Sequence, residues 1–141
     1  MSAFMLFVVV SGTGAVSVAE ASRPGDPLYA VKLRVTEPAR SALIFDKEEK
    51  TKFEIERVDR RLKEFSLATL KSPDMETTAL IKESLSESIE QVSKDVSELS
   101  ASGEADKALN ANTDMKSVLS AHSLVLREVS ERSPSSAEDI A

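Results

Sequence analysis

The chain has 141 residues, enough for one core of ordinary size, with 18 Lys and Arg against 24 Asp and Glu and a formal net charge of -6, so the basic surface that nucleic-acid binding needs is not supplied. The absence of Cys and a single His exclude disulfide frameworks, thiol catalysis, Fe–S ligation and the usual Cys/His zinc sites. Only four Gly and 4% aromatic residues starve glycine phosphate loops and β-sandwich cores alike, which leaves a helical protein with no cofactor expected.

Residues Ala3 to Ala19 (AFMLFVVVSGTGAVSVA) carry no charged side chain, whereas charges recur every few residues from Arg23 onward. As a helix this run would span roughly 26 Å, slightly less than the ~30 Å hydrocarbon core of a bilayer. Two readings of residues 1–21 stand side by side: a secretory signal peptide with Ala19-Glu20-Ala21 as a small-x-small cleavage site, or a retained membrane anchor. The lack of Lys or Arg before the apolar run departs from both. A core helix fits less well, because Val8 to Val10 and the Ser11-Gly12-Thr13-Gly14 break show no polar stripe of helical period. Either favoured reading sends the remainder out of the cytoplasm, where a chain without Cys depends on helix packing for its stability.

Asp26-Pro27 reads as a helix start, the carboxylate accepting orphan N–H groups and Pro standing where no donor is needed. Leu28, Val31, Val35, Ala39 and Ala42 then recur at spacings of three and four, predicting an apolar face as far as about Ile44. Pro38 lacks the N–H that would continue the ladder, so a bend is expected over Arg34 to Glu37. Asp46, three residues before Glu49, predicts a second helix start, with Phe45 as hydrophobic staple. Ile55, Val58, Leu62, Phe65 and Thr69 give its seam, and Glu56/Arg60, Asp59/Lys63 and Arg60/Glu64 its wet-side ion pairs. The segment should end near Lys71. Ser72-Pro73-Asp74 opens a third helix with a seam of Ile81, Leu85, Ile89, Val92, Val96 and Leu99. Ser102-Gly103 predicts a left-handed cap and a fold straight back into a fourth helix. That helix carries Ala105, Ala108, Asn112, Met115, Leu119, His122, Leu126 and Val129, broadened by Leu109, Val118 and Val125, until Ser133-Pro134 stops it.

No stretch alternates apolar and polar with β-branched enrichment, so no strand is assigned. The expected fold is all-α: an elongated antiparallel bundle of three to four helices over residues 22–132, with an N-terminal apolar helix before it and a disordered tail over 133–141.

The run Arg23-Pro24-Gly25-Asp26-Pro27-Leu28-Tyr29-Ala30-Val31-Lys32 resembles the start of a bacterial domain of unknown function, DUF5667. The resemblance continues through Thr36-Glu37, Ala42-Leu43, Phe45-Asp46 and Arg60-Arg61-Leu62-Lys63-Glu64. The chain departs from that pattern in having Ala30 where Pro is usual and Pro38 within the first helix. The resemblance implies an exported or membrane-anchored protein, in some members the outer domain of a regulator resembling an anti-sigma factor, and it brings no established activity with it. The residues it singles out as a structural motif are Pro24, Gly25, Asp26, Pro27, Leu28, Tyr29 and Lys32.

Other candidate sites reduce to ordinary roles. His122 at a seam position has no Cys or second His to complete a ligand set and reads as a half-buried packing residue. Glu48, Glu49, Glu83, Glu87 and Glu90 read as solvated helix faces rather than a calcium loop. Ser84, Ser86, Ser88, Ser93, Ser97 and Ser100 lack a base and an oxyanion hole, and Met5, Met75 and Met115 are too scattered to cluster on copper. Tyr29 is expected to pack its ring on a neighbouring helix with its hydroxyl wet. For Lys32, Arg34, Arg40 and Lys47, contact with anionic head groups and plain solubility both stand.

The function expected is therefore non-enzymatic: an extracytoplasmic helical module binding another envelope protein or a copy of itself, with membrane contact through residues 3–19 if they are retained. Two alternatives are the outer sensor domain of a membrane-anchored, anti-sigma-like regulator, which needs a cytoplasmic segment upstream, and a small periplasmic metal or chaperone-like binder.

Overall fold

The computed structural model describes residues 21–70 and 75–132. The leader, the Ser72-Pro73-Asp74 helix start and the tail lie outside the described residues, as do the side chains of Thr69, Leu126 and Val129. Among the described residues all regular structure is helical. None of the helices there is long and apolar enough to cross a membrane. The chain divides into two compact units, one ending at Leu43 and one beginning at Ile44.

The first unit opens with two consecutive β-turns. Asp26 N–H donates to Arg23 O at 2.9 Å, and Gly25, with Pro24 before it, has φ +95°; this is a type II turn, which needs a residue free to take positive φ at that position. Tyr29 N–H then donates to Asp26 O at 3.0 Å across Pro27 and Leu28, whose φ of -89° and ψ of 0° complete a type I turn. Asp26 thus does not cap forward as the sequence suggests. Its Oδ2 accepts the Arg23 N–H at 2.7 Å, and the helix begins at Tyr29 with no side-chain cap.

Helix α1 covers residues 29–42 as an α-turn at Tyr29–Val31, a π-helical stretch at Lys32–Thr36 and an α-helix at Glu37–Ala42. The π stretch sits where a bend was expected. Pro38 cannot donate to Arg34 O, and the wider turn, closed by Glu37 N–H on Lys32 O, carries the ladder across the gap. It also decides which side is buried. Tyr29, Leu33, Glu37 and Ser41 are inside, a spacing of four that would drift by about 40° per step on a regular α-helix; the wide turn takes that drift back. The apolar face predicted from the sequence points out instead: Val31, Val35, Ala39 and Ala42 are exposed.

In the second unit three helices, α2 at Lys47–Leu70, α3 at Met75–Ala101 and α4 at Ala105–Arg132, pack pairwise on one another. With 24, 27 and 28 residues they run about 36 to 42 Å. Asp46 caps α2 as predicted, its Oδ1 accepting the Glu49 N–H at 2.9 Å. Phe45 is no staple: it is 90% exposed, because the position it would meet is Lys50. The α3–α4 connection is a Schellman motif. Gly103 at φ +83° donates to Ser100 O, and Glu104 N–H donates to Leu99 O at 2.9 Å, so α4 turns straight back.

Each helix gives one residue to the centre of the core, Ile55, Val92 and Ala111, with Val96, Met115 and Val118 packed against them. The α2 seam is the predicted one through Ile55, Val58 and Leu62. Those of α3 and α4 are rotated. On α3 the buried row is Thr77, Ile81, Ser84, Ser88, Val92, Asp95 and Leu99, while Ile89 is 38% exposed. On α4 Ala108, Ala111 and His122 are buried, and Ala105, Asn112 and Leu119 are exposed. Small side chains let helix backbones approach closely, and a hydroxyl bonded to its own helix, as Ser88 Oγ donates to Ser84 O at 2.9 Å, can go inside without leaving a donor unmet.

Candidate functional site

The motif residues of the first unit are brought together around the double turn, and they divide by role. Gly25, Asp26 and Pro27 are exposed and shape the backbone, with Pro24 half-buried beside them. Tyr29 and Lys32 turn inward. Lys32 Nζ donates to Ser22 O at 3.1 Å and lies 5.9 Å from the centre of the Tyr29 ring, a cation–π approach that ties the segment before the turns to the first turn of α1. Tyr29 is 2% exposed, so its hydroxyl is not in water as expected, and Lys32 is withdrawn from any head group. Leu28 alone among the seven presents a large apolar side chain outward.

In the second unit α2 carries a charged row on its inward side. Glu54, Arg57 and Arg61 are buried. Arg57 Nη1 donates to Glu54 Oε2 at 2.8 Å, and Arg61 pairs with Glu64. The signal was present in the sequence: at about 100° per residue, Phe53 and Ile55 lie about 200° apart with Glu54, Arg57 and Arg61 between them, so the charges sit inside an apolar arc. Both pairs are three residues apart on one helix, so each charge finds its partner locally and can be carried inside already compensated.

His122 belongs to the α2–α4 contact. Its Nε2 is 2.8 Å from Asp59 Oδ1, and Lys63 Nζ donates to Asp59 Oδ2 at 2.5 Å. Burial pushes the Asp59 carboxyl up, but the hydrogen bonds from Lys63 and His122, with their charges, outweigh it and hold the carboxyl below its ordinary value. His122 Nδ1 is buried without a partner. On α3, Asp95 is held by Gln91 Nε2 at 2.7 Å and lies 3.9 Å from Lys50 Nζ.

An exposed ionic band joins the N-terminal ends of α2 and α4 to the C-terminal end of α3. Lys47 is 3.4 Å from Glu98 and Lys107 3.7 Å from Glu48, which sets α2 antiparallel to α3 and parallel to α4. Hydrogen bonds from Lys52 and Lys107 lower the Glu48 and Glu104 carboxyls, and the same bonds raise the two amines. Such exposed pairs specify register more than they stabilise. Among the described residues no three His, Asp or Glu side chains converge as a metal site would require, and Glu83, Glu87 and Glu90 lie on an exposed face of α3.

The model of a family described as a domain of unknown function (DUF5667) matches residues 21–136. No curated protein matches the chain, and no solved structure does.

Proposed function

The chain belongs to the DUF5667 family, and from that premise we propose that it is a non-enzymatic helical module that works outside the cytoplasm by binding another protein of the cell envelope or a second copy of itself. The observation that carries the reading is the outer side of α4. Its inward side uses a narrow row of small and medium residues, Ala108, Ala111, Met115, Val118 and His122, while Leu109 and Leu124 are 64% and 68% exposed. Exposed leucines on a rigid, well-packed helix suit a partner helix or groove that would remove them from water. The uncharged run Ala3 to Ala19 supports the location, either as a signal peptide or as an anchor.

The test has two parts in the native host. Protease added to spheroplasts should digest the protein while cytoplasmic markers survive, and protection until lysis would overturn the location. A photo-crosslinking residue at Leu109 or Leu124 should give a discrete adduct with another envelope protein or with a second copy. No adduct at either position, with the fold intact by circular dichroism, would overturn the interaction.

A further inference from the structure

Helix α1 has its expected polarity reversed. Lys32 and Glu37 are buried, while Leu28, Val31, Val35 and Leu43 are 38%, 41%, 52% and 71% exposed. Ala39 and Ala42 are exposed with them. A basic helix with an outward aliphatic side has the character of one that lies at a water–lipid boundary.

Two further observations say what covers that side. The first is charge. Among the described residues of this unit Arg23, Arg34 and Arg40 are exposed against the carboxylate of Asp26, whereas the whole chain carries -6. The second is the tether. Leu28 follows the last residue of the uncharged run, Ala19, by nine positions, at most about 32 Å of extended chain, and the double turn at Arg23 to Tyr29 shortens it. If the run lies in a bilayer, that tether keeps α1 within reach of the interface.

We infer that the outer side of α1 rests on an anionic phospholipid surface, with Leu28, Val31, Val35 and Leu43 at the acyl boundary and Arg23, Arg34 and Arg40 toward the head groups. A second copy of this chain is a poorer occupant, because a two-fold pairing of the same face would bring the arginines of both copies, Arg34 and Arg40, to one interface. The inference rests on the envelope location proposed above, in its anchor form, in which the uncharged run stays attached and brings this unit to a bilayer.

The absence of Cys makes a site-by-site test direct. Full-length protein carrying Val35→Cys, labelled with an environment-sensitive fluorophore, is mixed with vesicles of phosphatidylcholine alone or with phosphatidylglycerol added. Ser97→Cys, exposed on α3, is the reference. On anionic vesicles the label at 35 should rise roughly two- to threefold in emission and be quenched by lipid-borne nitroxide, with both effects reduced by salt, while the label at 97 stays in water. In a second variant, Val31→Asp with Val35→Asp should abolish the same response from a label at Leu43→Cys without changing the helical circular dichroism.

A label at 35 that stays in water while the protein sediments with the vesicles overturns the inference and leaves the envelope location standing. A signal that grows with protein concentration in the absence of lipid overturns it in favour of self-association. Failure of the spheroplast test with a positive vesicle response would instead remove the location and keep the surface chemistry.

Discussion

His122 on α4 meets Asp59 on α2, 63 positions earlier in the chain, with Nε2 2.8 Å from Oδ1. It is a polar clasp between two helices that lie parallel and are joined only through α3. Because Asp59 also accepts from Lys63, the carboxylate serves both a buried and an exposed donor.

The clasp makes stability depend on acid in a definite direction. The folded-state carboxyl of Asp59 is lowered by Lys63 and His122 against the opposing effect of burial, so as pH falls the unfolded chain takes up its proton first. The contribution is full above the unfolded value, about pH 4, and is lost as pH drops through the lower folded value. Asp59→Asn should flatten the loss of stability below about pH 4, as read from urea unfolding at a series of pH values. An unchanged acid limb would show that the pairing does not persist in solution.

Removing the imidazole tests the same contact at neutral pH. His122→Ala should cost about 2 kcal/mol from a lost hydrogen bond and a small cavity. Lys63→Ala, at a side chain 61% exposed, should cost less than about 1 kcal/mol. The difference is measurable as a shift in the denaturant midpoint at constant slope.

Arg60 and Arg61 are neighbours with opposite environments. Arg61 is fully buried with Glu64 as partner, whereas Arg60 is 37% exposed and 3.8 Å from Glu56. Arg61→Ala should cost about 3 kcal/mol, because it removes a fully buried side chain, leaves a cavity and takes from Glu64 its ion-pair partner. Arg60→Ala should cost under about 1 kcal/mol. Equal effects in thermal unfolding would contradict the burial.

The rotated seam of α3 predicts unequal isoleucines. Ile81 is fully buried and Ile89 is 38% exposed, so Ile81→Ala should destabilise by about 3 kcal/mol and Ile89→Ala by less than about 1 kcal/mol. The predicted seam, taken from sequence, would have made them equal.

Gly25 and Gly103 are needed for their backbone conformation and not for space, since no atom lies within 4 Å of a built Cβ at either. Ala at each should cost about 1 to 2 kcal/mol through positive φ alone. Asn should be better tolerated than Ala at Gly103, the helix-end position where Asn also occurs. Thermal midpoints of Gly103→Ala and Gly103→Asn check this directly.

Much of the architecture was legible in local chemistry. Asp46 as a cap, Gly103 as the pivot of the α3–α4 hairpin, the Ile55–Val58–Leu62 seam and the disturbance before Pro38 all follow from short-range rules, because a cap, a positive φ or a missing N–H is decided within a few residues. The segment Pro24 to Tyr29 reads from sequence as a helix cap; it is a pair of turns with Asp26 shared between them.

What only the tertiary structure decided is which side of each helix faces in. Leu28, Val31 and Val35 have the spacing of a core face and lie outside, while Tyr29, Lys32 and Glu37 lie inside. Ile89 and Leu119 yield their places to Ser88 and Val118. Periodicity measures how apolar residues are spaced along a helix. It does not weigh a small serine that allows close approach, a charge already paired with its own helix, or one π turn that rotates all that follows, and those are settled when the helices meet.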